Sequence, residues 1–248
     1  MSHPLRGGLH IGRMQVSLRD QDRVFDLEIE NVDLPAGSVA ILTGASGSGK
    51  TLVLELLGLL RPPSPGGVYS ILQEDTGNTD LAALWAQGPR SEALAMARGH
   101  LFGFVPQIGG LMPFLSVTEN IALPQKLTQR LDPEWCDTLI ERLGLSGVAH
   151  MEPGALSIGQ RQRTAIARSL AHRPAFVIAD EPTAALDPDS ADAVLDLFLE
   201  QATTQNCGII LASHDRENTK RVDAARWHLT ALLQEDGQVK STLGAAPC

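Results

Sequence analysis

The sequence of 248 residues contains only three cysteines and no apolar run long enough to cross a bilayer. Cys136, Cys207 and Cys248 are odd in number and widely spaced, so they predict neither a disulfide framework nor a zinc site and suit a reducing compartment. The first 14 residues include two arginines but no apolar core. We therefore expect no signal peptide and no membrane-spanning segment.

Positive charge is also scarce, because 20 Lys and Arg stand against 29 Asp and Glu, for a formal net charge of −9. Nucleic-acid-binding surfaces are basic, so this balance argues against a nucleic-acid partner. Hydrophobic residues make up 43% of the chain and charged residues 20%, as is ordinary for a globular protein. The length fits one α/β domain, with at most a small appended lobe.

The chain does contain a glycine-rich segment with the spacing G-x-x-x-x-G-K-T, between an apolar run at residues 39–43 and a helical pattern. Strand, glycine-rich turn and helix in this order predict a phosphate-binding loop, because bare backbone N–H groups can turn inward and the helix adds its positive end. The alternative is a Gly/Ser-rich turn with a chance lysine. We expect the segment to bind a nucleoside triphosphate through these residues: Gly44, Ala45, Ser46, Gly47, Ser48, Gly49, Lys50 and Thr51.

Polar residues follow three further apolar segments that are typical of buried strands: Gln107, the pair Asp180 and Glu181, and His214. Ligands of open α/β sheets bind at the carboxyl ends of the strands, so we expect these side chains beside the glycine-rich loop. Asp180 and the Thr51 hydroxyl would hold Mg²⁺, with Gln107 as a neutral ligand, and Glu181 would polarise a water. Each also has a structural alternative: Asp180 and Glu181 could be a solvated strand end, Gln107 a polar loop residue, and His214 a hydrogen-bonded structural histidine.

The remaining patterns predict a strand pair at residues 9–18 and 24–32, a helix that starts at the S-x-x-Q capping box of residues 157–160, and a closing hairpin within residues 227–243. A mostly helical insertion occupies about residues 106–155, with breaks that include Pro124 and Gly144. We therefore expect a single-domain α/β fold. We expect it to contain a P-loop NTPase core of mostly parallel sheet flanked by helices, at about 1–105 and 156–248, an N-terminal antiparallel β subdomain and an inserted helical subdomain.

Six motifs in order over about residues 24–215 together resemble the ATPase subunit of an ATP-binding cassette (ABC) transporter. Besides the glycine-rich loop they are the Q-loop at Gln107, the signature at 156–160, the Walker B strand at 175–182, the D-loop at 185–187 and the H-loop at 213–215. The resemblance implies Mg²⁺-dependent ATP hydrolysis with metal ligands Thr51, Gln107 and Asp180, and catalytic residues Glu181 (the general base), His214 (a γ-phosphate sensor) and Gln107. It also implies further nucleotide contacts from Ser157, Gly159, Gln160 and Asp187.

In this family the signature completes the ATP site of the opposite subunit, so the resemblance implies a homodimer with ATP at the interface. It also implies integral-membrane permease subunits as partners, at the cytoplasmic face of a membrane, and no nucleic acid. Residues 103–107 and 111–124 are similar to the LolD/MacB/FtsE-type group, in which this segment docks a cytoplasmic helix of the permease. The alternative is that its apolar residues only pack the helical lobe.

The sequence departs from the family pattern at two places. Ile158 replaces the first glycine of the signature, so we expect function to persist with slower turnover. The aromatic residue that stacks on adenine is missing from residues 17–23, and Phe25 is a poor substitute, so we expect weaker base discrimination.

Two other functions compete with a transport ATPase. A soluble ABC ATPase acting on nucleic acid or ribosomes usually has long coiled coils, a second cassette or basic linkers, and this sequence shows none of them. The signature and His214 argue against the other alternative, a small-molecule kinase.

Overall fold

The computed structural model describes residues 7–20, 23–73, 77–107, 110–213, 222–234 and 238–245. Within them the strands are β1 (Gly8–Gly12), β2 (Met14–Asp20), β3 (Arg23–Ile29), β4 (Val32–Pro35), β5 (Val39–Gly44), β6 (Val68–Gln73), β7 (Gly77–Asp80), β8 (Phe102–Val105), β9 (Phe176–Asp180), β10 (Gly208–Ala212), β11 (Ala225–Leu233) and β12 (Val239–Ala245). The helices are α1 (Lys50–Leu57), α2 (Leu81–Ala86), α3 (Glu92–Leu101), α4 (Val117–Thr128), α5 (Pro133–Arg142), α6 (Ile158–Leu170) and α7 (Pro188–Gln205). Single 3₁₀ turns lie at Ser146–Val148 and Pro153–Ala155.

The larger sheet has the order β2-β3-β12-β11-β5-β10-β9-β8. Its centre is parallel, because β10 pairs in parallel with both β5 and β9, and β8 pairs in parallel with β9. Every residue of β9 and β10 is buried, as expected for parallel strands covered on both faces. The expected α/β class with a mostly parallel core is therefore confirmed.

The smaller sheet is antiparallel and has the order β4-β1-β6-β7. The single strand expected at residues 9–18 is wrong, because the chain turns at Arg13, whose φ is +43°. The turn sends Leu9 and Ile11 of β1 into the core under the small sheet, while β2 joins the large sheet as the antiparallel neighbour of β3. The polar stretch before Leu81 also contains a strand, β7, that the sequence did not indicate.

Helices α4, α5 and α6 follow one another between β8 and β9. The break expected at Pro124 is wrong, since this residue lies inside α4. An interior proline costs roughly 3 kcal/mol. Here Ile121 is fully buried, and the Gln125 side chain donates to the carbonyls of Asp132 and Ala171 at 2.9 and 2.7 Å, so tertiary contacts hold the helix on both sides of the proline.

None of the helices in the described ranges is long and apolar enough to span a membrane.

His172 lies after α6, against the start of β8, and is only 4% exposed. Its Nε2 is 3.2 Å from the carbonyl oxygen of Phe102, whereas the buried Nδ1 has no hydrogen-bond partner among the described residues. Burial disfavours the charged imidazolium and lowers the pKa of His172 to about 4, although the Phe102 contact opposes the shift.

We expect His172 to make the fold sensitive to acid. The unfolded histidine binds a proton near pH 6.5, the folded one only near 4, so its contribution is complete above 6.5 and is lost as the pH falls through this window. The loss is about 3 kcal/mol in the free energy of unfolding. Urea unfolding of the wild type and of His172→Gln at several pH values measures it. Parallel pH profiles for the two proteins would contradict this assignment.

Candidate functional site

The loop between β5 and α1 has a backbone that only small residues allow. Gly47 and Gly49 have φ values of +74° and +99°, in the left-handed region that glycine favours. Space is also limiting at Gly49, because a Cβ there would lie 2.6 Å from Cζ of Phe25. The loop can therefore turn closely against β3 only with glycine at position 49.

Lys50 begins α1, and its side chain turns back under the loop. Its Nζ donates to the carbonyl oxygens of Gly44 and Ala45, each at 3.0 Å, and the residue is 7% exposed. Burial lowers the pKa of Lys50, and the negative charges of Glu181 and Asp180 partly oppose that shift. The loop thus holds a cation close to two carboxylates.

Three strand ends meet beside this loop. The Thr51 hydroxyl donates to Oδ2 of Asp180 at 2.7 Å, which joins the start of α1 to the end of β9. Glu181 follows with φ +49°, and its N–H donates to the carbonyl of Ala212 at 3.0 Å. Gln107, after β8, donates from Nε2 to Oε2 of Glu181 at 3.4 Å. The glycine-rich loop and both acids therefore share one edge of the sheet.

These groups line a cavity of about 400 Å³. Its walls contain these residues: Leu18, Phe25, Ser46, Gly47, Gly49, Lys50, Thr51, Leu52, Gln107, Asp180 and Glu181. Ser48 belongs to the same loop but does not line the cavity, and its buried hydroxyl has no hydrogen-bond partner in the part of the chain that the structure describes.

Phe25 and Leu18 form an apolar side of the cavity. The sequence pattern indicates Phe25 only as a poor base-stacking residue and does not single out Leu18. Their cross-strand pairing in β2 and β3 puts the two side chains next to each other. The register of this strand pair, which the sequence alternation only outlines, is the signal that could have found them.

The signature residues form a second, separate feature at the start of α6. Ser157 accepts from the N–H of Gln160 at 3.2 Å, and the Gln160 side chain accepts from the N–H of Ser157 at 2.9 Å, so the expected capping box is present. Ile158 is 65% exposed. A Cβ on Gly159 would lie 3.5 Å from the carbonyl of Ala185, so the signature packs against the segment before α7.

Asp187 caps α7 by accepting from the N–H of Ser190 at 3.0 Å. Hydrogen bonds from the backbone and side chain of Ser190 lower the pKa of Asp187. Asp187 and the signature residues do not line the 400 Å³ cavity. His214 lies outside the described residues.

Comparisons with known proteins identify the family of the chain. Residues 27–184 match the family model of the ABC transporter. The chain is 36% identical to the lipoprotein-releasing system ATP-binding protein LolD of Idiomarina loihiensis, over 83% of this chain and 88% of that protein. It is also 36% identical to the macrolide export ATP-binding/permease protein MacB 2 of Aeromonas hydrophila, over 90% of this chain but only 31% of that longer protein.

Among solved structures, the dimeric post-hydrolysis state of an ATP-binding cassette bound to ADP and Pi superposes with a TM-score of 0.77 and 25% identity, over 93% of this chain and 96% of that one. The expected family and the similarity to the LolD/MacB group are thus confirmed. The chain belongs to the ABC transporter family, in which it is an ATP-binding and ATP-hydrolysing subunit.

Proposed function

We propose that ATP binds and is hydrolysed in the cavity between the glycine-rich loop and the ends of β8 and β9. One observation carries this proposal: Lys50, the Thr51–Asp180 pair and Glu181 all line the same cavity. A buried ammonium beneath a glycine-rich loop at the start of a helix suits a polyphosphate.

The donor set also fits Mg²⁺. Proteins hold this ion through one or two carboxylates and the substrate phosphates, and not through an all-protein cage. The described residues contain no cluster of three or more His, Cys, Asp or Glu side chains, and Asp180 with the Thr51 hydroxyl and Gln107 is the kind of sparse set expected. When bound, Mg²⁺ would neutralise charge on the phosphate oxygens.

The residues of this chain would divide the remaining work. Glu181, beyond Asp180, would accept a proton from the water that attacks the γ-phosphorus, while Lys50 would stabilise the negative charge on the phosphate oxygens as the bond to ADP breaks. Gln107 already donates to Glu181 at 3.4 Å and would orient its carboxylate or the water. His214 would contact the γ-phosphate.

We further propose a homodimer in which each ATP is covered by the partner's signature. The capping box uses the N–H groups of Ser157 and Gln160 and leaves the other N–H groups of the first turn of α6 without an intrahelical partner. Such a helix start can bind an anion such as a phosphate. Ser157, Gly159 and Gln160 would act there in trans, with Asp187 nearby. ATP binding would then favour association, and hydrolysis would reverse it.

The partner that we propose is a membrane-embedded permease, at the cytoplasmic face of the membrane. An apolar groove of about 210 Å³ lies between β8, α4 and α6 and includes Phe104, Leu123 and Leu127. Phe114, 71% exposed, and Leu127, 72% exposed, leave apolar surface on the helical insertion, whereas Leu111 is partly buried and packs against the core. A short amphipathic helix of the permease would fit such a surface.

Replacing the proposed base tests the hydrolytic site and the dimer together. Glu181→Gln should lower ATP turnover by roughly a hundredfold or more, because the proton acceptor is lost while the shape is kept. With ATP and Mg²⁺ the variant should elute as a dimer in size-exclusion chromatography. A Lys50→Ala control should stay monomeric. A monomeric Glu181→Gln protein with bound ATP would contradict the shared site.

Phe25→Ala tests the apolar wall. Loss of the ring should weaken ATP binding about tenfold, since an aromatic contact and buried area disappear. Phe25→Tyr should retain the affinity. Fluorescent-nucleotide titrations of the three proteins measure this, and equal affinities for all three would exclude contact between Phe25 and the nucleotide.

Ile158 provides a test of the signature. We expect Ile158→Gly to raise ATP turnover several-fold, because the β-branched side chain would no longer keep the α6 backbone from the phosphate. The ATP turnover of Ile158→Ala should lie between that of the wild type and that of Ile158→Gly. Steady-state ATPase assays decide the point, and unchanged turnover in both variants would mean that residue 158 does not approach the nucleotide.

The permease proposal is tested by affinity purification of the tagged chain from detergent-solubilised membranes. The wild type should bring down a multi-span protein, and Phe114→Glu should lose it. Leu233→Glu, a matched change at a side chain that is 76% exposed on the β11–β12 hairpin, should retain it. Loss in both variants, or co-purification of ribosomes or nucleic acid instead, would contradict the docking surface.

A further inference from the structure

A second cavity, of about 470 Å³, lies at the opposite edge of the large sheet. It is lined by Phe176, the first residue of β9, and by Asn206, just before β10. Asp180 is at the other end of β9, which at about 3.3 Å per residue puts the two edges roughly 13 Å apart along the strand. The cavity is therefore separate from the proposed ATP site.

The polar lining of this cavity is cationic. Its two charged side chains are Arg130 and Arg173, His100 and the amides of Gln205 and Asn206 add hydrogen-bonding groups, and the carboxylate of Asp132, which pairs with Arg173, lies outside the lining. Such a lining is unusual for a chain with a net charge of −9. The described residues provide no ion-pair partner for Arg130. Burial, and to a smaller extent the Arg130 charge, lowers the pKa of His100, so this imidazole offers a neutral hydrogen-bonding group beside Arg130.

Arg173 is held in place before any ligand arrives. Its backbone has φ +50°, a conformation that is uncommon for a long side chain. The guanidinium stacks 4.7 Å from the Trp135 ring centroid, donates to Asp132 at 2.9 and 3.1 Å, and donates to Gln205 at 3.2 Å. Ordering this arginine costs a ligand little, because the side chain is already fixed.

We propose that this cavity binds a small oxyanion, with Arg130 and Arg173 as its cationic ligands and the amide side chains of Gln205 and Asn206 as further hydrogen-bonding groups. Guanidinium groups match the geometry of both phosphate and carboxylate oxygens. The apolar floor, which includes Phe176 and Ile71, would contact the uncharged part of an organic anion. The volume lies within the range of small-molecule sites.

Amide NMR spectra of the full chain, titrated with inorganic phosphate or with succinate, test the proposal. The amides of Arg173 and Asn206 report on the cavity, and those of Gly47 and Gly49 report on the glycine-rich loop, where phosphate is also expected to bind. We expect saturable shifts at Arg173 and Asn206 with at least one of the two anions. The anion that binds more tightly there identifies a phosphate or a carboxylate ligand.

Arg130→Gln should weaken binding at the cavity roughly tenfold and leave binding at the loop unchanged, because one charged hydrogen bond is lost. Arg90→Gln, which removes an exposed charge outside the cavity, is the matched control. Unshifted amides at Arg173 and Asn206 with both anions would overturn the proposal. Equal weakening by Arg130→Gln and Arg90→Gln would overturn it too, since it would mean a general charge effect.

Discussion

The proposed ATP site depends on the pairing of strand β10 with its two neighbours. This strand pairs in parallel with β5 on one side and β9 on the other, with Ala212 opposite both Leu42 and Asp180. The Ala212 carbonyl then accepts from Glu181, and the N–H of Ser213 donates to Leu42. This register brings the glycine-rich loop and both acids to one level of the sheet, and the Thr51–Asp180 hydrogen bond joins them.

The two departures from the family pattern have different physical consequences. Phe25 packs so closely on the glycine-rich loop that it occupies the space of a Gly49 side chain, and with Leu18 it gives the cavity an apolar wall. Ile158, in contrast, stays exposed at the start of a well-capped helix and disturbs nothing within its own subunit. Its effect would therefore arise only in the proposed dimer.

Local patterns predicted much of this molecule. The glycine spacing, the capping box at Ser157 and the acids after the apolar strand β9 are short-range signals, because each depends on a few neighbouring residues. The turn at Arg13, the strand β7 and the persistence of α4 through Pro124 depend on tertiary pairing and packing. The helix and strand propensities of single residues do not include these tertiary effects.

Sites built from distant segments were the hardest to foresee. The side of the cavity formed by Phe25 follows from strand register, and the cationic cavity gathers Arg130 and Arg173 from separate connections. No spacing in the sequence relates these residues. Strand pairing places Phe25, and the packing of α4 against α6 brings Arg130 near Arg173.

The most direct measurement is a crystal structure of the chain with Mg²⁺ and a non-hydrolysable ATP analogue. The account predicts a two-fold dimer with the γ-phosphate at Lys50, the metal at Thr51 and Asp180, and Ser157 of the opposite subunit against the same phosphate. A nucleotide bound in this cavity with both signatures turned to solvent, or a nucleotide bound elsewhere, would contradict it.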